Sequence, residues 1–181
     1  MSLPHAILGF LQVMPMTGYD LKTQAFDRTV AHFWGAVQQQ IYRELEKMES
    51  VGWVECEVIQ QTDKPPRKVY RPTAAGRAEF DAWLKQSQTP PQHREAFLIQ
   101  LFFAAQLTDE EIRIMLLDQR EAHQARKAEL EKIVMPPPAD AYEKRKQALI
   151  GLTLDLGLRL EQMYIEWLTD ALETVSQLPS G

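Results

Sequence analysis

The chain has 181 residues, of which 45% are hydrophobic and 25% charged, with one cysteine and a formal net charge of −5. This is ordinary globular composition, long enough for one large domain or two small ones. A lone Cys56 excludes an internal disulfide framework, and no apolar run approaches the roughly 20 residues that cross a bilayer, so the expectation is a reduced, cytoplasmic protein without membrane contact.

The apolar start MSLPHAILGFLQVM lacks a basic n-region and a small-residue cleavage site. It reads as a core helix over residues 3–12, with Ile7, Leu8 and Leu11 on one face. Met14-Pro15-Met16 makes a turn, and Thr17 caps a second helix with Leu21 and Ala25 facing inward. A third helix is predicted over 36–50, where Val37, Ile41, Leu45 and Met48 recur at helical spacing. Gly52 closes it. A strand at 53–59, a turn at 62–67 and a partner strand at 68–71 follow. Thr73 starts a fourth helix to about residue 85, with Phe80, Trp83 and Leu84 as core candidates. Residue 76, three after this cap, is Gly, so the carboxylate of a capping box is missing.

Pro90-Pro91 breaks the chain, which divides into a winged-helix DNA-binding domain at 1–88 and a C-terminal helical dimerisation domain at 92–181. Three helices are expected in the second part, over 94–106, 109–134 and 140–178, with Thr108 capping the middle one. In the last, Leu149, Leu152, Leu156, Leu160, Met163 and Trp167 fall on one face. Ile150, Leu154, Leu158, Ile165, Leu168 and Leu172 form an adjoining one. An apolar arc that wide exceeds the stripe of a surface helix. Leu152, Leu154, Leu156, Leu158, Ile165, Trp167, Leu168 and Leu172 are therefore read as dimerisation residues. The alternative is a self-contained three-helix bundle. The fold class is mainly α with a small β-hairpin: a winged helix-turn-helix domain followed by a three-helix dimerisation domain.

Net acidity looks wrong for a DNA binder, but its distribution removes the objection. Residues 1–88 carry ten basic and ten acidic side chains, whereas residues 89–181 carry ten and fifteen; residues 64–77 hold five basic residues and no acid. Gln38, Gln39 and Gln40 occupy the first turns of the third helix, where a Gln amide matches adenine N6/N7 in the major groove. Tyr42 and Arg43 suit phosphate oxygens. Lys64, Arg67 and Lys68, at a turn stiffened by Pro65-Pro66, supply cations for a wing along the backbone. Taken singly, the glutamines read equally as the polar face of a surface helix and the wing as a solubilising turn.

The segments ILGFLQVMPMTGYDLK, WGAVQQQIYRELEKMESVGWV and KPPRKVYRPTAAGRAEFDAWL resemble the PadR family of bacterial transcription regulators. The second half, with its E-W-L near the end of a long helix, is similar to that family's virulence-activator-type C-terminal domain. The resemblance implies a homodimer with interlocked C-terminal helices and two winged helices on an inverted repeat. It places Tyr42 and Arg43 in the recognition helix, Lys64, Arg67 and Lys68 in the wing, and Tyr19 at the family's GY tyrosine. Where relatives often carry Ser-His, this chain has Val37-Gln38, which bears on base preference.

No catalytic, metal or cofactor site is expected. His5, His32, His93 and His123 lack metal-binding spacing, and Cys56 has no CxxC partner. Phe97, Phe102, Phe103, Trp83, Tyr164 and Trp167 are read mainly as core, or as the lining of a site for a small aromatic effector. Glu161 projects into the apolar stripe of the last helix and calls for an Arg or Lys partner, or a subunit interface. The expected partners are double-stranded DNA, a second copy of the chain and a small planar effector. Two rivals stand beside this reading. One is a winged-helix protein-interaction module, supported by Glu44, Glu46 and Glu49. The other is a ligand sensor with secondary DNA binding.

Overall fold

The computed structural model describes residues 2–60, 62, 66–90, 92 and 94–178. It divides into two compact units, Met1–Pro90 and Pro91–Gly181. In the first, α1 spans Leu3–Val13, with Pro4 in the first turn, where a missing N–H costs nothing. Helix α2 opens at Gly18–Asp20 and continues over Leu21–Val30 in the wider π register. Thr17 and Asp20 form a reciprocal capping box at its start. Helix α3 spans Gln38–Ser50, strands β1 and β2 span Val54–Ile59 and Arg67–Pro72, and α4 spans Ala74–Leu84.

One apolar core ties these elements together. Ile7 and Leu8 of α1, Leu21 and Phe26 of α2, and Ile41 and Leu45 of α3 are all fully buried. Each such side chain contributes roughly 1.5–3 kcal/mol of burial. The strands pair antiparallel with Cys56 opposite Tyr70 and Val54 opposite Pro72. An isolated β-bridge adds to them, because Met16 and Tyr70 exchange both backbone hydrogen bonds, at 3.2 and 2.9 Å. The turn after α1 is thereby sewn to the hairpin. This matters because two strands alone are only marginally stable in water.

Two sequence expectations shift here. Helix α3 begins two residues late, since Val37 is extended (φ −91°, ψ 148°) and exposed, and Ala36 takes the buried position instead. Leu84 is exposed as well, not a core residue. The junction into α4 explains the missing carboxylate at residue 76. Thr73 Oγ1 accepts from the Gly76 N–H at 3.1 Å and donates to Gly52 O at 2.6 Å. A Cβ on Gly76 would lie 2.0 Å from Trp53 O. The position is glycine because backbone sits where a side chain would go.

Burial pushes the Tyr70 phenol up to about 12, and the Cys56 thiol and the carboxylates of Glu49 and Glu46 add in the same direction. An unfolded tyrosine loses its proton near pH 10. The raised folded value therefore contributes stability that is complete below about pH 10 and lost as pH rises toward 12. We expect the unfolding free energy to fall more steeply through that window in the native protein than in Tyr70→Phe. Urea titrations of both at pH 9 and pH 12 measure the difference.

In the second unit, α5 spans Ala96–Phe102 and a 3-10 turn follows at Ala104–Gln106, so the first predicted helix is broken in two. Helix α6 spans Asp109–Glu131 and α7 spans Ala141–Ser176. Thr108 caps α6 with a full capping box to Glu111, whose carboxyl is held below its usual range by the Thr108 backbone and side-chain hydrogen bonds. Phe97, Ala104, Ile112, Leu116 and Leu168 form the core, with Leu172 against it. Leu116 meets Leu168 and His123 meets Glu161, so α6 and α7 run antiparallel.

The partner of Glu161 is a correction: neither Arg nor Lys, but buried His123, with Nδ1 2.5 Å from Oε2. The His123 ring stacks on Tyr164 at 4.3 Å, and the Tyr164 hydroxyl donates to Glu95 at 2.6 Å. Burial and that carboxylate push the Tyr164 phenol up to about 12.

Of the residues assigned to dimerisation, Leu168 is fully buried in its own chain and Leu172 packs against the same core. Leu168 therefore has no surface left for another subunit, whereas Leu172 keeps part of its own. Leu154, Leu158 and Ile165 are half-buried. The adjoining face is open: Leu152 is 66% exposed, Leu156 59% and Trp167 38%, along with Leu149, Leu160 and Met163. Phe102 and Phe103 are exposed too, whereas Phe97 is core. No described helix is long and apolar enough to cross a membrane.

Candidate nucleic-acid interface

The reading head is built on α3. Ile41, Leu45 and Met48 are anchored in the core, which sends Gln38, Gln39, Gln40 and Arg43 to the outside. Val37 has no side-chain acceptor to cap the helix. Gln40 turns back in part to cover the opening, its Oε1 accepting from the Val37 N–H at 3.5 Å. Gln38 and Gln39 carry no such duty. Tyr42 is 38% exposed, and its ring lies on α2: a Cβ on Gly18 would come within 2.4 Å of it. One edge of the phenol is thus seated while the other is free. Tyr19, in the first turn of α2, is exposed. Lys47 pairs with Glu44 at 3.4 Å along the same helix, which leaves Glu46 and Glu49 as the open acids of its later turns.

The wing is less uniformly free than its composition implies. Lys64 and Pro65 lie outside the described residues. Arg67 Nη2 donates to Asp20 Oδ2 at 2.7 Å. Arg71 pairs with Glu57 and, at 3.7 Å, with Glu55, and Arg77 donates to Gln12 at 3.3 Å. Lys68 is exposed and has no ion-pair partner among the described residues. Three of the five basic residues in this segment are therefore held by the protein itself.

Residue-by-residue reading from sequence missed Gly18 and Asp20. Asp20 carried a signal, since Thr17-x-x-Asp20 has the spacing of a capping box. Gly18 carried none, because only the fold brings Tyr42 against it. Among the described residues, no cluster of His, Cys, Asp or Glu could hold a metal ion.

Comparison with known proteins agrees with this geometry. The profile of the Transcriptional regulator PadR-like family matches residues 7–82, and that described as Virulence activator alpha C-term matches 93–176. The chain is 33% identical to a Mycobacterium tuberculosis protein described as "Probable transcriptional regulator Rv1176c", over 98% of this chain and 99% of the relative. Among solved structures it resembles Bacillus subtilis PadR in complex with operator DNA, with a TM-score of 0.81 and 28% identity, over 97% of this chain and 99% of that one. The same Bacillus protein in complex with p-coumaric acid gives a TM-score of 0.74 at 26% identity, over 98% and 100%.

Proposed function

Because the chain belongs to the PadR-like family of transcriptional regulators, we propose that it works as a cytoplasmic homodimer binding an inverted-repeat operator, without enzymatic activity. The observation that carries this reading is the exposed row of Gln38 and Gln39 at the start of a helix whose opposite face is locked into the core. A recognition helix reaches base edges with just these N-terminal positions. Gln38, Gln39 and Gln40 then read bases. Tyr42, Arg43 and Tyr19 hold phosphates, and Lys68, with Lys64 and Arg67 beside it, makes up the wing. The open face of α7, around Leu152, Leu156 and Trp167, is the surface for a second copy, since two reading heads require one.

Likeness to the Bacillus protein seen with p-coumaric acid supports a small planar effector. That leaves room for the sensor reading, in which ligand binding sets the DNA affinity. The direct test is selection of random duplexes by the purified protein followed by sequencing, with an enriched inverted repeat as the expected result. On the selected duplex, Tyr42→Ala should weaken binding about tenfold, or about 1.4 kcal/mol. Lys68→Ala should reduce the slope of log affinity against log salt by about 0.9 for the lost phosphate contact. An unchanged slope would remove Lys68 from the interface.

A further inference from the structure

One carboxylate joins three parts of the reading head. Asp20 Oδ2 accepts from the Thr17 N–H at 3.1 Å, from Thr17 Oγ1 at 2.8 Å and from Arg67 Nη2 at 2.7 Å. Its other oxygen accepts from Gln24 Nε2 at 3.1 Å. The Asp20 side chain is 16% exposed, against 51% for Arg67. Thr17 and Gly18 open the helix on which the Tyr42 ring rests, and Arg67 is the first residue of β2. Helix cap, seat of the recognition-helix tyrosine and base of the wing thus converge on this side chain. Burial pulls the Asp20 carboxyl upward, but the hydrogen bonds from Thr17 and Arg67 and the Arg67 charge outweigh it and hold it below its usual value. The ionised form is the one the site stabilises.

We propose that Asp20 is a positioning residue for DNA binding: through Arg67 it sets the angle of the wing against α3, and Arg67 acts as a strut and not as a phosphate contact. This rests on the DNA-binding reading above. Charge-assisted hydrogen bonds are about twice as strong as neutral ones and fix direction. Successive side chains leave a strand on opposite sides, so adjacent Arg67 and Lys68 diverge. One cation is turned to the protein and the other is left for the partner.

The opposite role for the same contact makes the opposite prediction. If Arg67 were a phosphate contact that Asp20 merely occupies in the free protein, Asp20→Asn would release it and tighten binding. As a strut, Asp20→Asn keeps an acceptor for Thr17 but loses the charge, and operator affinity falls three- to tenfold. Arg67→Ala, which leaves the Thr17–Asp20 cap untouched, falls by the same factor with an unchanged salt slope. The double variant is no worse than either alone, and Asp20→Glu restores most of the loss. Tighter binding by Asp20→Asn, additive losses, or a shallower slope in Arg67→Ala would each overturn the proposal. Amide exchange in the DNA-free protein separates this idea from the function it rests on. In Asp20→Asn, exchange at Lys68–Tyr70 should accelerate several-fold while that of Ile41–Met48 stays put. Such a change in a protein that binds no duplex leaves the strut standing and removes the DNA-binding reading, whereas unchanged exchange removes the strut.

Discussion

Leu152→Glu combined with Leu156→Glu is expected to yield a folded monomer with at least a hundredfold weaker grip on an inverted repeat. Both side chains are more than half exposed in the isolated chain, so the charges disturb little packing within the subunit. Helix content and the packing of Leu116 on Leu168 should survive. What is lost is the apolar area that a second subunit would cover, worth roughly 25 cal/mol per Å². Once the heads are unlinked, the second half-site is no longer filled at the millimolar effective concentration that linkage supplies, and avidity of about 10² to 10⁴ disappears. Light scattering behind a sizing column reports the mass, and titration on full-site and half-site duplexes reports the coupling. A dimer that persists in the double variant would show that the open face of α7 has another purpose.

Gly76→Ala is expected to destabilise the first unit by about 3 kcal/mol or more. Helix propensity alone argues the other way, since Ala is favoured over Gly inside a helix by about 1 kcal/mol. The geometry decides against it. The new methyl would sit 2.0 Å from Trp53 O and 2.9 Å from the carbonyl carbon, both of them backbone. Overpacking of even movable side chains costs about 1–3 kcal/mol. Relief here requires α4 to lift from the Gly52–Trp53 junction, which also breaks the Thr73 cap, at about 1 kcal/mol. For a unit of this size each kcal/mol lowers the melting temperature by about 4–8 °C. A drop of less than a few degrees in a thermal scan would show that the junction yields easily.

Periodicity made most of the first unit readable in advance. The spacing of Ile41, Leu45 and Met48 placed α3 and its outward face, and Thr17, Gly52 and Thr73 marked ends that the structure keeps. What resisted reading were features defined by proximity across the chain. The wing looked like an unbroken cationic strip, because nothing local shows that Asp20, 47 positions earlier, holds Arg67. Glu161 stands out in the sequence as a carboxylate in need of a partner, yet His123 lies 38 positions away and no spacing singles it out. The two faces of α7 were visible on a helical wheel, but composition could not say which one the chain would cover itself. Leu168 went inward because Phe97, Ala104, Ile112 and Leu116 gather around it.

The division of labour along α3 has a consequence for how such a protein can change its target. Ile41, Leu45 and Met48 answer to the core, Tyr42 to Gly18, and Gln40 in part to the helix start. The side chains of Gln38 and Gln39 are exposed and hydrogen-bond to none of the described residues, and exposed positions of this kind tolerate exchange at a cost within about 0.5 kcal/mol. On the DNA-binding reading, those two residues form an address written on a chassis that does not depend on it. Libraries confined to positions 38 and 39 should therefore yield stable variants with redirected operator preference, with no compensating changes elsewhere in the domain.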